Sequence, residues 1–473
     1  MESVRHEPGL LMAFLREMPK GGDLHNHLAG AIYAENLIDY AAENGMCVDR
    51  TTAFVIAPPC DSSCDRFTSK PGASCAYEDP VLYNSLIDAW SMRNWHEGDE
   101  PGHDHFFATF EKFSPAFINH HGDALAEAAA RAANDHLQYL ELMHTADGGA
   151  AAQLGAKAGW NDDWGKLREK LLTAGIPEIV AQTRAQLNLD EDRKRTLLKC
   201  GTKDESPGCA VTLRYLYQVL RGLPKEQVFA QMVLGFELAK ADPRFVGVNL
   251  VMPEDWYTPM HDFDLHMRML DYLHGIDPHV HIALHAGELT LGLVPPEGLR
   301  FHIRESVEKG HAERIGHGVD VMYESDPIGL LKEMANRNVL VEICLTSNDV
   351  TLGVTGDDHP LPIYRKYGVP AALATDDEGV SRSDMTHEYQ RAAETYNFSY
   401  QDLKGMARLS LEHSFLPGES LWENTRPFRL TGACADSGSL ACRKFLSASE
   451  RARMEWQLEQ QFTEFESRAA KFR

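Results

Sequence analysis

The sequence predicts an α/β fold, a closed (β/α)8 TIM barrel with a cysteine-containing insertion after strand 1 and a helical C-terminal tail. Eight short apolar segments typical of β-strands alternate with helical segments. Strands that alternate with helices pair in parallel through right-handed crossovers, and eight of them can close a barrel. Polar side chains recur just after the first, fifth, sixth and eighth segments, the edge where barrel proteins gather functional groups. An open doubly wound sheet would instead need a glycine-rich turn before a helix, and Gly30 after His27 does not make that pattern.

The predicted elements follow in order along the chain. Strands are expected at residues 23–28, 137–143, 209–217, 245–251, 280–284, 314–316, 339–344 and 371–374. Helices are expected at residues 9–17, 34–44, 122–135 and 178–199. His103, His105, His120 and His121 fall outside the strand ends and are expected on the surface or in loops.

Two segments depart from the alternation, although residues 1–473 are expected to form one domain. Residues 47–105 form an insertion, whose first part is rich in proline, glycine, serine and cysteine. With Trp90, Trp95 and the aromatic run 106–113, it is interpreted as a lid over the barrel. Residues 417–473 form a C-terminal extension, and its charged end is expected to be a helix packed on the barrel.

Composition restricts the partners. The formal charge of 46 − 70 = −24 disfavours nucleic acid and anionic membrane surfaces, and it favours a neutral or cationic small molecule. The mean hydropathy is −0.35, and no run of 18 apolar residues predicts a membrane span. The sequence carries no signal for an oligomeric state.

The nine cysteines are the main indication of compartment. Cys200 with Cys209, and Cys434 with Cys442, flank short polar loops and predict two disulfides. The group of Cys60, Cys64 and Cys75 predicts disulfides, a structural zinc knot or free thiols. Disulfides persist in oxidising compartments, so a periplasmic or secreted protein whose signal peptide has been removed is expected. The alternative is a cytoplasmic protein with free thiols.

Candidate metal ligands follow the first and fifth strands. Side chains two apart on a strand point to the same face, so His25 and His27 can bind one ion together. His285 can supply a third nitrogen, and the small residues after it let the chain turn so that Glu288 faces a substrate.

Further candidates follow the sixth and eighth strands. The glycines on either side of His317 permit close approach of backbone and ligand. Asp376 can give one carboxylate to the metal and Asp377 the next to a substrate. Three histidines and one aspartate suit one Zn²⁺ per chain with an open position for water, although iron or cobalt could use the same ligands.

These motifs resemble the adenosine deaminase family of metal-dependent amidohydrolase barrels. The resemblance rests on Met18-Pro19-Lys20, the His25/His27 pair, His285-Ala286-Gly287-Glu288, Arg314-Ile315-Gly316-His317-Gly318, Cys344-Leu345-Thr346-Ser347-Asn348, Thr375-Asp376-Asp377 and residues 410–416. It covers residues 18–46, loosely 106–250 and strongly 280–416. The cysteines and Gly21-Gly22 are also similar to the secreted adenosine deaminase growth factor branch.

The resemblance implies a role for each motif residue. Zinc would be held by His25, His27, His285 and Asp376, and hydroxide would attack purine C6. Protonated Glu288 would hydrogen-bond purine N1 and deliver a proton there. His317 would orient and deprotonate the attacking water or stabilise its charge, and Asp377 would hydrogen-bond purine N7 and the hydroxide. The implied substrate is a small purine nucleoside, adenosine or 2′-deoxyadenosine, which becomes the inosine product with release of ammonia.

Two positions depart from the family pattern. Ala29 stands where the family commonly has an aspartate for the ribose 5′ hydroxyl, and Met252 stands where it has a glycine near the purine. Met252 could pack over a purine or narrow the pocket. Deamination of adenine or a modified adenosine therefore stays as an alternative. A separate alternative is an adenosine-binding signalling protein of the growth factor branch, although its ligand and catalytic positions are all filled here. A phosphotriesterase-like barrel is disfavoured, because residues 245–254 contain no lysine to bridge two metals.

Overall fold

The structure is a computed structural model that describes residues 1–469 apart from 97 and 99. Residues 97 and 99 of the predicted insertion and 470–473 of the predicted tail lie outside the described residues. Eight strands form one sheet: β1 (Gly21–His27), β2 (Leu137–His144), β3 (Thr212–Leu220), β4 (Phe245–Val251), β5 (His281–Ala286), β6 (Arg314–His317), β7 (Leu340–Ile343) and β8 (Ala371–Leu373).

The eight strands follow one another around the sheet in chain order, and neighbouring strands pair in parallel. The sheet closes where the chain leaves β8 and meets β1. There the Asp376 N–H donates to His25 O at 2.9 Å, and the His27 N–H donates to Asp376 O at 3.2 Å. The predicted TIM barrel is therefore confirmed, and its closure brings Asp376 beside the first strand.

Helices connect the strands and cover the outside of the barrel. They are Pro8–Arg16, Ala34–Glu43, Pro80–Ala89, Gly102–Phe117, His121–Asn134, Ala150–Ala158, Trp164–Ala174, Ile176–Leu197, Lys225–Ala241, Tyr257–His261, Phe263–Ile276, His302–Glu308, Pro327–Asn336, Leu345–Leu352, Leu361–Tyr367, Glu378–Ser381, Met385–Thr395, Tyr400–Glu412, Leu440–Ala448 and Glu450–Arg468. Two small hairpins lie outside the barrel sheet, Cys47–Val48 with Val55–Ile56 and Trp422–Thr425 with Phe428–Leu430.

The burial of the strands on both faces explains why apolar segments of the sequence predicted them. All seven residues of β4 are buried, as expected for a parallel strand covered on both faces. The predicted bounds agree with the structure to within a few residues, and the largest difference is at β3. We expected that strand to begin at Cys209, but residues Pro207–Ala210 form a 3₁₀ turn and the strand begins at Thr212. The disulfide loop that ends at Cys209 occupies the place of the first strand residues.

Eight of the nine cysteines form disulfides. The predicted pairs Cys200–Cys209 and Cys434–Cys442 are confirmed, with Sγ–Sγ distances of 2.06 and 2.00 Å. Cys47–Cys60 and Cys64–Cys75 close two more loops in the insertion, so the zinc-knot and free-thiol alternatives for that group are wrong. The ninth, Cys344, is unpaired and buried after β7.

The insertion packs against the carboxyl edge of the barrel. The Met92 N–H donates to Val380 O at 2.8 Å, just after Asp377. His103 Nε2 lies 3.0 Å from Asp255 Oδ1, in the loop that follows β4. The expectation of a surface or loop position is wrong for His103, which lies in the helix Gly102–Phe117 with only 6% of its area exposed. His120 lies in a loop, as expected, but it is only 7% exposed because its ring stacks on Tyr40 at 4.4 Å.

The C-terminal region packs on the barrel through the helix Glu450–Arg468. Met454, Leu458 and Phe462 are buried, and Gln138 Nε2 donates to Met454 O at 2.6 Å. Within the described residues, none of the helices combines the length and apolar character needed to cross a bilayer.

Candidate active site

The closed barrel brings the four predicted metal ligands together. His27 Nε2 lies 3.1 Å from His285 Nε2 and 3.3 Å from Asp376 Oδ1, and His25 Nε2 lies 3.4 Å from that same oxygen. The donor atoms of all four residues lie within 4.8 Å of one another. Zinc in a tetrahedral site with ligands at about 2.1 Å would separate its donors by about 3.4 Å. The four side chains therefore fit around one ion of that size.

Each histidine of this set is held through its other ring nitrogen by a neighbouring strand. His25 Nδ1 lies 2.7 Å from Glu342 Oε2 on β7. His27 Nδ1 lies 3.0 Å from Gln218 Oε1 on β3, and His285 Nδ1 lies 2.8 Å from Asn249 Oδ1 on β4. We call Glu342, Gln218 and Asn249 the orienting acceptors. An acceptor on Nδ1 fixes the proton there and leaves the Nε2 lone pair directed to the metal.

A buried charge network lies beneath His25. Arg314 Nε donates to Glu342 Oε1 at 2.6 Å, and Arg314 Nη2 donates to Glu141 Oε2 at 2.6 Å. These three side chains are 0–1% exposed. Glu141 also accepts from the Phe415 N–H at 2.7 Å. The two carboxylates compensate the buried guanidinium, and one of them orients a metal ligand.

Contacts within the ligand set counteract the effect of burial on the pKa values of Asp376 and His25. Burial by itself would raise the pKa of Asp376, but hydrogen bonds from His25 and His27 hold it well below its ordinary value. Burial would lower the pKa of His25, whereas hydrogen bonds to Asp376 and Glu342 raise it to about 10. Burial lowers the pKa of His285 well below its ordinary value, and the charge of His25 adds to this. A cation among these groups would compensate the carboxylate in place of a proton.

Unusual backbone conformations occur at three strand ends of the site. Met252, His317 and Asp376 have φ angles of +91°, +67° and +59°. Non-glycine residues in this region cost of order 1 kcal/mol each and are typical of sites whose geometry is imposed by the surrounding structure. Gly316 has the role expected for it, because a Cβ there would overlap the His25 ring.

Glu288 is buried beside the ligand set. Its backbone N–H donates to Glu254 Oε2 at 2.8 Å, and the Gly287 N–H donates to Glu254 Oε1 at 3.1 Å. Glu254 Oε1 also lies 3.0 Å from His302 Nδ1. Burial, with the negative charges of Asp376 and Glu254, raises the pKa of Glu288 well above its ordinary value. This shift favours the neutral acid that a proton donor requires.

His317 and Asp377 complete the site. His317 Nε2 lies 3.7 Å from Glu288 Oε1, and burial lowers the pKa of His317 to about 3. Asp377 follows Asp376, and burial raises its pKa to about 8 although the charge of His27 opposes this shift. A Cβ on Gly30 would overlap the Asp377 carboxylate, so the glycine leaves room for that side chain.

Buried polar atoms without protein partners support a metal or ligand site at this centre. Among the described residues, His317 Nε2 and Asp377 Oδ1 are buried without a hydrogen-bond partner. His25 Nε2 has only a long contact of 3.4 Å with Asp376 Oδ1. Buried polar groups are normally satisfied, so several orphaned atoms at one place indicate an ion, water or substrate. His25, His317, Cys344 and Asp376 form a second possible ligand group, but it shares two residues with the first. The first set is the better candidate, because each of its three histidines is positioned by one of the orienting acceptors.

Several supporting residues were not identified from the sequence. Glu342 and Glu141 each interrupt an apolar strand, and Asn249 interrupts another, in strands that are otherwise buried on both faces. A polar residue inside such a strand needs a partner, so this was the available signal. Glu254, His359 and Gln218 gave no comparable signal. Two residues depart from the family pattern. Ala29 is half-buried two residues after His27, and Met252 directly follows the last residue of β4.

A parallel barrel that gathers three histidines and an aspartate at the carboxyl ends of its strands defines the class of amidohydrolase-type barrels. The family model described as adenosine deaminase matches residues 174–422, which is more than half of the chain. The chain belongs to the adenosine deaminase family.

Curated relatives match over part of their length. An adenosine deaminase of Clostridium perfringens is 33% identical over 139 residues, 29% of this chain and 39% of that protein. An adenine deaminase of Rhizobium leguminosarum is 30% identical over 159 residues, 32% of this chain and 46% of that protein. An adenosine deaminase of Salmonella heidelberg is 38% identical over 137 residues, 29% and 38%. The chain thus matches less than half the length of each.

Solved structures share the fold at low identity. Adenine deaminase from Arthrobacter aurescens has a TM-score of 0.53 at 18% identity and covers 84% of this chain and 94% of that one. An Arabidopsis protein complexed with IMP has a TM-score of 0.56 at 17% identity, with 95% and 99% covered. An amidohydrolase from Burkholderia ambifaria with bound Zn has a TM-score of 0.53 at 15% identity, with 96% and 94% covered.

Proposed function

We propose that this protein is a zinc-dependent aminohydrolase that converts adenosine and 2′-deoxyadenosine to inosine and 2′-deoxyinosine with release of ammonia. The observation that carries the proposal is a buried acid, Glu288, beside three histidines and an aspartate whose donor atoms fit one ion. Membership of the adenosine deaminase family supports it. The zinc-bound fold relative supports the choice of metal.

The chain's own residues divide the chemistry of the reaction. Zinc bound by His25, His27, His285 and Asp376 would lower the pKa of a water to about 7 and make it nucleophilic at neutral pH. Glu288 donates a proton to purine N1 as oxygen adds to C6, which localises the ring electrons and weakens the bond to the amino group. The proton of the new C6 hydroxyl passes to the amino group, ammonia leaves, and the oxygen stays on C6 as the carbonyl of the product. The other proton of the water restores the Glu288 acid.

Two further groups orient the reactants in this proposal. Burial raises the pKa of Asp377, which favours the protonated carboxyl that can donate a hydrogen bond to purine N7. His317 lies on the same side as Glu288 and contacts the attacking oxygen. Met252 lies at the barrel mouth after β4 and packs over one face of the purine.

Ala29 favours a second candidate substrate. Its methyl group offers no hydrogen bond to a ribose hydroxyl at the position that follows His27 and Leu28. Adenine itself, or a modified adenosine, is therefore the alternative substrate, and one matched relative is an adenine deaminase. A binding protein of the growth factor branch without activity is disfavoured, because every proposed ligand and proton donor is present.

The test is an ultraviolet assay of deamination. Adenosine, 2′-deoxyadenosine and adenine are compared at equal concentration, with the metal content measured in the same sample. Glu288→Gln is expected to lower kcat by about 10²–10⁴-fold, because an amide cannot deliver the proton. Glu297→Gln is the matched control, since Glu297 is an exposed residue of the short helix Pro296–Leu299, and it should retain full activity. Unchanged turnover in Glu288→Gln would refute the proposed role.

We also propose that residues 47–105 act as a lid. The contacts of Met92 with Val380 and of His103 with Asp255 support this, because both partners follow strands that carry site residues. Trp90 belongs to the interior of this segment, where its Nε1 donates to Ala53 O at 2.7 Å. The Phe106 and Phe113 side chains are also buried.

We propose a periplasmic or secreted location on the basis of the four disulfides. Such bonds persist in oxidising compartments and are rare where glutathione keeps thiols reduced. Titration of the unfolded, unreduced protein isolated from its native source is expected to find one thiol, from Cys344. Nine thiols would favour a cytoplasmic location instead.

A further inference from the structure

A chain of buried hydrogen bonds leads from the protein backbone to His317. The Leu361 N–H donates to His359 Nδ1 at 3.1 Å. His359 Nε2 lies 3.1 Å from Asn348 Oδ1, and Asn348 Nδ2 lies 3.0 Å from His317 Nδ1. His317, Asn348 and His359 are 0–1% exposed, so water does not compete for these bonds.

The backbone end of this chain determines the direction of every bond in it. A backbone N–H can only donate, so His359 Nδ1 must be the acceptor and carries no proton. Burial lowers the pKa of His359 to about 4, so the neutral ring has its proton on Nε2. That proton is donated to Asn348 Oδ1, which directs the Asn348 amide group, a donor, at His317 Nδ1.

The same direction fixes the proton of His317. Its Nδ1 accepts from Asn348, so the neutral ring has its proton on Nε2, the atom that faces the ligand set. This arrangement is opposite to that of His25, His27 and His285, whose Nδ1 atoms each face one of the orienting acceptors. The structure therefore separates histidines that offer a lone pair to the site from one that offers a hydrogen.

We propose that His359 and Asn348 are positioning residues that hold His317 as a hydrogen-bond donor to the attacking oxygen and prevent it from acting as the base. The inference rests on the proposed deaminase function and decides between the two roles expected for His317. His317 Nε2 has no hydrogen-bond partner among the described residues, so its hydrogen is free for the reacting oxygen. A donor placed there stabilises negative charge as the oxygen adds to the purine.

The contact of His317 with Glu288 agrees with this direction. Nε2 lies 3.7 Å from Glu288 Oε1, so one donor hydrogen faces the side of the site where the acid is held. If Nε2 carried a lone pair instead, a neutral Glu288 could donate its proton to His317 and lose it for purine N1. The observed chain of bonds disfavours that transfer.

The test uses a side chain of the same shape as Asn348 that reverses the direction of the hydrogen bond to His317. Asn348→Asp replaces the donor that faces His317 Nδ1 with an acceptor, which favours a proton on Nδ1. His359→Gln is the matched control, because its amide retains an acceptor for Leu361 and a donor for Asn348. His359→Leu keeps a buried side chain but removes both bonds. Each variant is prepared as zinc-loaded full-length protein with ¹⁵N-labelled histidine, and the His317 resonance is assigned from its loss in His317→Gln.

In the wild type we expect ring ¹⁵N spectra to show His317 with a proton on Nε2 and an unprotonated Nδ1. Asn348→Asp should move the proton to Nδ1 and lower kcat by about 100-fold or more, with KM and zinc content within about threefold of the wild type. His359→Gln should retain the wild-type spectrum and kcat within about threefold, whereas His359→Leu should lower kcat.

Three outcomes would overturn the inference. These are a proton on Nδ1 of His317 in the wild type, a moved proton with unchanged kcat in Asn348→Asp, and loss of zinc in that variant. The spectra report the proton position whatever the protein's substrate is. A protein that deaminates none of the purines would therefore refute the proposed function, while the position of the proton would still be measured.

Discussion

The contact between Glu342 and His25 can be tested by changing one atom type. Glu342 accepts from His25 Nδ1 at 2.7 Å and from Arg314 Nε at 2.6 Å, so both of its neighbours are donors. In Glu342→Gln the shape is retained, but the amide has one acceptor oxygen and one NH₂ group. The NH₂ group must then face a donor, so one of the two hydrogen bonds is replaced by a repulsive contact.

The expected magnitude follows from these two bonds. Loss of the outer hydrogen-bond partner of a metal-bound histidine typically weakens metal affinity by about 10–100-fold, which is about 1.4–2.7 kcal/mol. Loss of a hydrogen bond to a charged group costs about 1.5–3 kcal/mol of folding free energy. We therefore expect Glu342→Gln to weaken zinc binding by about 10–100-fold and to destabilise the metal-free protein as well.

The assay is a competition titration of zinc against a chelator, with denaturant unfolding of the metal-free protein. Glu141→Gln is the matched control, because Glu141 also pairs with Arg314, at 2.6 Å, but makes no hydrogen bond to His25. It should lose stability by a similar amount and keep its zinc affinity within about threefold. Equal loss of zinc affinity in both variants, or none in Glu342→Gln, would refute the reasoning.

Two further predictions concern packing and covalent structure. Gly30→Ala should lower kcat by about 100-fold without loss of metal, because the new methyl overlaps the Asp377 carboxylate and displaces it by about 1 Å; Gly275→Ala, in open space, is the control, and an active Gly30→Ala enzyme would contradict this role. Replacing Cys200 and Cys209 by serine should reduce the unfolding free energy by about 2.6 kcal/mol, since the bond closes a loop with a separation of 9 residues. Denaturant unfolding measures the loss, and an unchanged midpoint would contradict it.

Residues that are close in sequence were the most predictable part of the fold. The helix at Ala34 and the strand at Phe245 were placed correctly, because side-chain periodicity and burial act within a few residues. The Cys200–Cys209 bond was predicted for the same reason. The pairings Cys47–Cys60 and Cys64–Cys75 were not, because several cysteines lie close enough to exchange partners and only the folded insertion selects among them.

The same distinction between local and long-range features applies to the candidate site. The chemical types of His25, His285, Glu288 and Asp376 were readable, because their order at strand ends matches one kind of barrel. Their supporting contacts were not, since Glu342 is 317 positions from His25 along the chain. A buried carboxylate is stable only beside its partners, and sequence proximity does not show those partners.

The sequence by itself determined which strands and helices form and which side chains can bind a metal, because these depend on local periodicity and on the chemistry of single residues. Only the tertiary structure decided that Asp376 meets the first strand, that the pKa of Glu288 is raised, and that Leu361 directs a proton to the far nitrogen of His317. The physical reason is that burial and hydrogen-bond direction are properties of groups brought together by barrel closure, from segments hundreds of residues apart.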